Sequence, residues 1–153
     1  MAVMGVHHVS LTVTDLDRSV DFYTRLLGFR LIGRKHRQAP DLGDALWGPP
    51  PEKGTQPAEI WIADLELAGT RLELIQYLQP ASPPYHGQPA QAGSAHLALL
   101  TQDIEAEVAR LREAGVLFHT PVRTIRDQER PVWRWCYFRD PDGIVVELVQ
   151  SGE

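Results

Sequence analysis

The sequence predicts an α+β fold: two tandem βαβββ modules whose curved, mixed sheets would surround a metal site. Three observations carry this. One short pattern is written twice, as HHVSLTVTDLDRSVDFY from His7 to Tyr23 and as AHLALLTQDIEAEVARL from Ala95 to Leu111. His8 and His96, Asp15 and Asp103, Leu16 and Ile104, Val20 and Val108, and Tyr23 and Leu111 are each 88 residues apart. Each half then ends in a strand-like segment with a central glutamate, Arg71-Leu72-Glu73-Leu74-Ile75 and Val145-Val146-Glu147-Leu148-Val149. A duplicated unit of this length speaks for one architecture used twice.

The elements follow in order. Alternation from Val6 to Val13 marks a strand with Val9, Leu11 and Val13 on one face and His8, Ser10 and Thr12 on the other. Asp15 suits an N-cap, Leu16, Val20, Tyr23 and Leu27 recur at helical spacing, and Gly28 is a natural stop. Phe29 to Gly33 is extended. Glu59 to Ala63 and Thr70 to Leu78 are the next strands, with a turn near Ala68-Gly69. The second half repeats the order: a strand from His96 to Thr101, a helix capped by Asp103 and ended by Ala114-Gly115, and extended segments at Val116 to His119 and Arg123 to Ile125. Strands at Pro131 to Phe138 and Ile144 to Val149 follow, joined by Asp140-Pro141-Asp142-Gly143. Arg34 to Ala58, rich in proline, is expected to be a long loop or lid. Gln79 to Gly93 is the connection between modules. The whole, residues 1–153, is expected to be a single domain, with module one at about 5–79 and module two at about 94–150.

Composition narrows the function classes. The chain has 153 residues and 43% hydrophobic content, enough for a packed interior. No apolar run approaches the roughly 20 residues of a membrane span, and the N-terminus lacks the regions of a signal peptide. The single cysteine, Cys136, excludes an internal disulfide and fits a cytoplasmic setting. A formal charge of −5 argues against a nucleic-acid partner. The basic cluster Arg34-Lys35-His36-Arg37 runs against that balance; it suits either the phosphates of coenzyme A or a solvated loop edge.

The repeated polar residues point to chemistry. Strand alternation puts His8 and His96 opposite the helix-facing leucines and valines, and separates Glu73 from Leu72 and Leu74 and Glu147 from Val146 and Leu148. Two imidazoles and two carboxylates in one concavity suit a divalent ion that accepts mixed nitrogen and oxygen ligands. A lone strand histidine or glutamate is usually structural; repetition in register separates these four from that background. His7, whose counterpart is Ala95, is read as structural.

These motifs resemble the vicinal oxygen chelate superfamily, which includes glyoxalase I, methylmalonyl-CoA epimerase, extradiol dioxygenases and the bleomycin and fosfomycin resistance proteins. The residues that carry the resemblance are His8-Val9 with Asp15-Leu16, Phe22-Tyr23, Leu27-Gly28-Phe29, and Asp140-Pro141-Asp142-Gly143 before Glu147-Leu148. It implies a metal held by His8, Glu73, His96 and Glu147, with Co, Ni, Mn or Zn in an isomerase and Fe(II) in a dioxygenase. Metal-dependent isomerases of the family remove a proton next to a carbonyl, the ion stabilising the charge on the carbonyl oxygen and a carboxylate taking the proton. Glu147 is the first candidate for that base. Glu59 is the second, because Ala58-Glu59-Ile60-Trp61-Ile62 is similar to a strand carrying a catalytic glutamate in some epimerases; it is equally an ordinary strand-end charge. Leu72 to Pro80 is similar to an epimerase strand, so the resemblance implies an epimerase or isomerase, probed first with an acyl-CoA. Glyoxalase I is the alternative within the same chemistry, followed by an Fe(II) extradiol dioxygenase and a metal-free drug-binding protein. A small-molecule substrate and a homodimer complete the expectation. Trp47, Trp61, Trp133, Trp135 and Tyr137 supply aromatic surface; Trp133, Trp135 and Tyr137 share one strand face and either line a cavity or pack a core or subunit contact.

Overall fold

The structure, a computed structural model, describes residues 2–48, 56–86, 89–127 and 130–152. The chain forms two compact units, Met1–Pro84 and Tyr85–Glu153, each built around one four-stranded mixed sheet.

In the first unit, β1 (Val9–Thr12) lies parallel to β4 (Thr70–Gln79), followed by antiparallel β3 (Ala58–Leu67) and β2 (Arg30–Ala39). α1 (Leu16–Asp21) runs on into a π-helical turn, Phe22–Leu26. The predicted helix is therefore present, but its second half is wound more loosely than the even spacing of its apolar residues suggested. Leu16, Val20 and Tyr23 pack with Ala63, Leu65, Leu72 and Leu74 into a core from which water is nearly excluded. Gly28 adopts a positive φ of 77° at the end of the helical segment, a conformation that side chains disfavour.

The expectation of a loop from Arg34 to Ala58 is corrected. β2 extends through Arg34 to Ala39, and α2 (Leu42–Trp47) follows; Pro49, Pro50 and Pro51 lie outside the described residues. The sequence of β2 reads as loop because it is polar, yet it is an edge strand, where charge is tolerated and discourages unwanted pairing. Cross-strand pairs stabilise it: Lys35 Nζ stands 2.6 Å from Asp64 and His36 Nε2 2.9 Å from Glu59.

The second unit repeats the topology. β5 (His96–Leu100) is parallel to β8 (Val145–Ser151), followed by antiparallel β7 (Arg130–Arg139) and β6 (Arg123–Asp127). α3 (Ile104–Glu113) packs Ile104, Val108 and Leu111 with Cys136, Phe138, Val146 and Leu148 in the buried core. The predicted extended segment at Val116 to His119 contributes only an isolated bridge between Phe118 and Phe138.

Both helices begin in the same way. Asp15 accepts from Arg18 N and Asp103 from Ala106 N, as the predicted caps require. A second device repeats beside them: Gln76 Oε1 accepts from Leu16 N and Gln150 Oε1 from Ile104 N, each at 3.0 Å. The last strand of each unit thus satisfies an amide at the start of its helix that would otherwise lack a partner.

Candidate metal and substrate site

Strand register decides what stands on the sheet face that points away from α1 in unit one and away from α3 in unit two. In unit one, Ser10 is opposite Glu73, and Glu73 is opposite Asp64. In unit two, Ala98 is opposite Glu147, and Glu147 is opposite Tyr137. Glu73 and Glu147 therefore occupy equivalent places on faces pointing away from the leucines and valines of the core.

The histidines reach these carboxylates. His8 Nε2 is 3.6 Å from Glu73 Oε1, and His96 Nε2 is 3.0 Å from Glu147 Oε2. The side chains are 40% and 50% exposed for His8 and His96 but only 17% and 14% for Glu73 and Glu147, so each carboxylate is sheltered while its imidazole faces outward. The structure thus places the four predicted ligands as two separate His–Glu pairs, one in each unit. Within either unit, among the described residues, no group of three or more His, Cys, Asp or Glu side chains is arranged to hold a metal.

The donor chemistry of each pair fits a divalent ion: an imidazole nitrogen and a carboxylate oxygen lie side by side. His7 Nδ1 lies 2.8 Å from His8 Nδ1, a contact that ties the two rings and bears on which nitrogen of His8 carries the proton.

The surroundings of the pairs differ. Ser10 Oγ donates to Glu73 at 3.3 Å, and Asp64 is occupied by Lys35. In unit two, Tyr137 stands opposite Glu147 on the neighbouring strand, and the Tyr137 ring meets His96 edge to face with centroids 6.0 Å apart. Burial first, then the neighbouring Glu147 carboxylate, raises the Tyr137 phenol above its ordinary pKa, so it stays protonated at neutral pH.

A cavity of about 390 Å³ opens beside this second pair. His96 and Tyr137 line it, with His119, Thr120 and Arg139, and with Tyr85, Pro89 and Val145 supplying apolar wall. Of the aromatic set that shares the strand face, Tyr137 lines the cavity; Trp133 is 41% exposed toward the far end of β7.

Glu59 stands elsewhere. Its neighbours on alternate positions of β3 are Trp61, Ala63 and Leu65, and the last two are fully buried in the core on the helix-covered side. Glu59 accordingly shares a face with Trp61, pairs with His36, and is on the opposite side of the sheet from Glu73. The basic cluster is largely paired too: Arg34 with Asp17, Lys35 with Asp64 and His36 with Glu59.

Sequence reasoning did not single out Arg139, His119, Gln76 or Gln150. Arg139 was within reach, because it continues the alternation of Trp133, Trp135 and Tyr137. The glutamine pair follows from the repeat itself, each lying three residues beyond its glutamate.

Two mixed sheets of one topology, and His–Glu pairs at matching registers, place the chain in a known class. It belongs to the Glyoxalase/Bleomycin resistance protein/Dioxygenase superfamily, whose pattern matches residues 5–148. It is 33% identical over 147 residues to a 2-epi-5-epi-valiolone epimerase from Actinomyces sp, covering 95% of this chain and 79% of that protein. It is 26% identical over 161 residues to a lactoylglutathione lyase from Pseudomonas aeruginosa, covering 95% and 81%. A glyoxalase family protein from Bacillus cereus shares the fold, with a TM-score of 0.79 over 100% of this chain and 97% of that one at 22% identity. Among the described residues no helix is long and apolar enough to cross a membrane.

Proposed function

We propose that the protein is a metal-dependent epimerase or isomerase that removes and returns a proton next to a carbonyl group. The observation that carries this reading is the His96–Glu147 pair, whose His96 lines a cavity, matched by His8–Glu73 in the same register of the other unit. In this reading both units form one domain, the four side chains form one ligand set, and an acyl-CoA or smaller carbonyl compound is the substrate. A divalent ion bound there would supply Lewis-acid stabilisation of a developing oxyanion.

The protein's own residues do the rest. Glu147, sheltered from solvent and facing Tyr137 across the strand pair, takes the proton from the carbon next to the carbonyl and delivers it back. The apolar wall of Tyr85, Pro89 and Val145 keeps water from competing for the carbanion. Glu59, on the other face of its sheet, has no part in this proton transfer.

The relatives support the same chemistry at different depths. The more similar of the two carries the name of an epimerase, and the lactoylglutathione lyase, at lower identity, is the basis for glyoxalase-type isomerisation as the second reading. The test is exchange of a substrate α-hydrogen for solvent deuterium, followed by NMR with metal-loaded protein and without oxygen. Exchange in the wild type and its loss by a factor of about 10² or more in Glu147→Gln, with metal occupancy measured in the same sample, is the expected result. Full exchange in Glu147→Gln removes Glu147 as the base, and turnover that strictly requires Fe(II) and O2 replaces the isomerase with a dioxygenase.

A further inference from the structure

The cavity wall contains a cation whose placement bears on the substrate. His96 is opposite Val145 and Val145 is opposite Arg139, so the three form one row across β5, β8 and β7, and all three line the cavity. Two inter-strand steps place the backbone of Arg139 about 10 Å from that of His96. The next row along the same strands holds Ala98, Glu147 and Tyr137. Negative charge thus lies at one end of this surface and positive charge at the other.

Arg139 differs from Arg25, Arg30, Arg34, Arg110 and Arg134, each of which pairs with a carboxylate. Arg139 is half-buried, and its partner is neutral: Nη1 donates to the Gly143 carbonyl. The neighbouring Asp140 carboxylate is turned into its own loop, accepting from Asp142 N at 2.9 Å and Ile144 N at 2.8 Å. Among the described residues no ion pair neutralises Arg139. A guanidinium facing a largely apolar cavity is costly unless an anion joins it there. Its anchorage to the turn also reduces the conformational freedom that anion binding would otherwise have to remove.

We propose that Arg139 is the anchor for a compact oxyanion on the substrate, a carboxylate or a phosphate ester, so that the protein acts on small anionic carbonyl compounds. The fate of the carbonyl rests on the isomerase reading above; the anion site itself does not. Repulsion from Glu147 orients the ligand, with its anion at Arg139 and its reacting end toward His96 and Glu147. The cavity, about 390 Å³, is near the lower end of small-molecule sites, roughly 300–1,000 Å³, and suits a small acid or phosphate better than an entire coenzyme A thioester.

Amide NMR titration of the metal-loaded protein tests this with three probes: 2-oxobutanoate, hydroxyacetone phosphate and neutral butanone. The expected result is that at least one anion binds about tenfold or more tightly than butanone, perturbs the amides of Arg139 and Gly143, and loses that advantage in Arg139→Gln. Arg139→Lys should recover part of it, and Arg123→Gln, a change on an exposed strand residue, should leave it intact. Preference for one anion over the other separates carboxylate from phosphate. Anions that bind no better than butanone to wild type, or a full advantage kept in Arg139→Gln, overturn the proposal. The wild-type comparison stands even if Arg139→Gln does not fold. Anion binding without deuterium exchange on any probe defeats the isomerase reading alone; exchange on butanone with the same kcat/KM as on the anionic ketones defeats the anchor alone.

Discussion

Glu73 and Glu147 hold the same position in two copies of one sheet, yet one sits among charges and the other beside a phenol and a cavity. In unit one the row runs Ser10, Glu73, Asp64, with Lys35 held by Asp64; the His8 contact is 3.6 Å. In unit two it runs Ala98, Glu147, Tyr137, and the His96 contact closes to 3.0 Å. The backbone devices have not diverged: aspartate caps and strand glutamines start both helices in the same way. The two units keep the same frame and the same His–Glu pair while the flanking positions differ. Unit one places a second carboxylate with its own counter-ion beside Glu73; unit two places a neutral phenol beside Glu147.

The largest effect should come from the residues the two units share. His8→Ala combined with His96→Ala should abolish divalent metal binding, read by elemental analysis after dialysis against dilute metal, and each single change should weaken it strongly. Retention of stoichiometric metal in the double variant would sink the shared ligand set. His7→Ala should matter far less, because His7 touches His8 but has no counterpart in unit two.

A smaller effect, of about tenfold, is expected where the units differ. Tyr137→Phe removes the hydroxyl on the residue opposite Glu147, so kcat for α-hydrogen exchange should fall while metal content and KM change little. The matching change in unit one, Asp64→Asn, should leave kcat nearly as it was, since Asp64 is engaged with Lys35. Equal losses from the two variants would mean that the units contribute alike and that the phenol has no special role.

The frame and the four candidate ligands were legible because both rest on patterns the sequence states twice. Strand parity alone placed His8, Glu73, His96 and Glu147 away from the core, and burial of Leu72, Leu74, Val146 and Leu148 follows that parity. Arg34 to Ala39 was not legible: a charged edge strand and a loop look alike until its partner strand supplies Asp64 and Glu59. Glu59 shows the converse difficulty. A glutamate within an alternating strand announces its type but not its face, and only the neighbouring buried positions, Ala63 and Leu65, put it on the helix-covered side. The face of Arg139 was legible from the alternation of Trp133, Trp135 and Tyr137; its place at a cavity was not, because an arginine before Asp140-Pro141-Asp142-Gly143 reads as part of the turn.

The smallest expected effect concerns a core position at which the two units also part. Cys136 pairs with Leu148 as Ala63 pairs with Leu74, and both Cys136 and Ala63 are fully buried. Burial, with a lesser contribution from the charge of Glu105, pushes the Cys136 thiol up to about 11 from an ordinary 9.0. The native protein therefore keeps this proton over a pH range in which the unfolded chain releases it. Since the folded state binds more protons there, stability falls as pH rises from about 9 to about 11. Cys136→Ala, which gives unit two the residue of unit one, should lower stability at pH 7 by about 1 kcal/mol through lost packing. It should also flatten the decline between pH 9 and pH 11 in urea unfolding curves. An unchanged slope in the variant would show that another group controls alkaline stability and that the buried thiol is, electrostatically, no different from the alanine opposite Leu74.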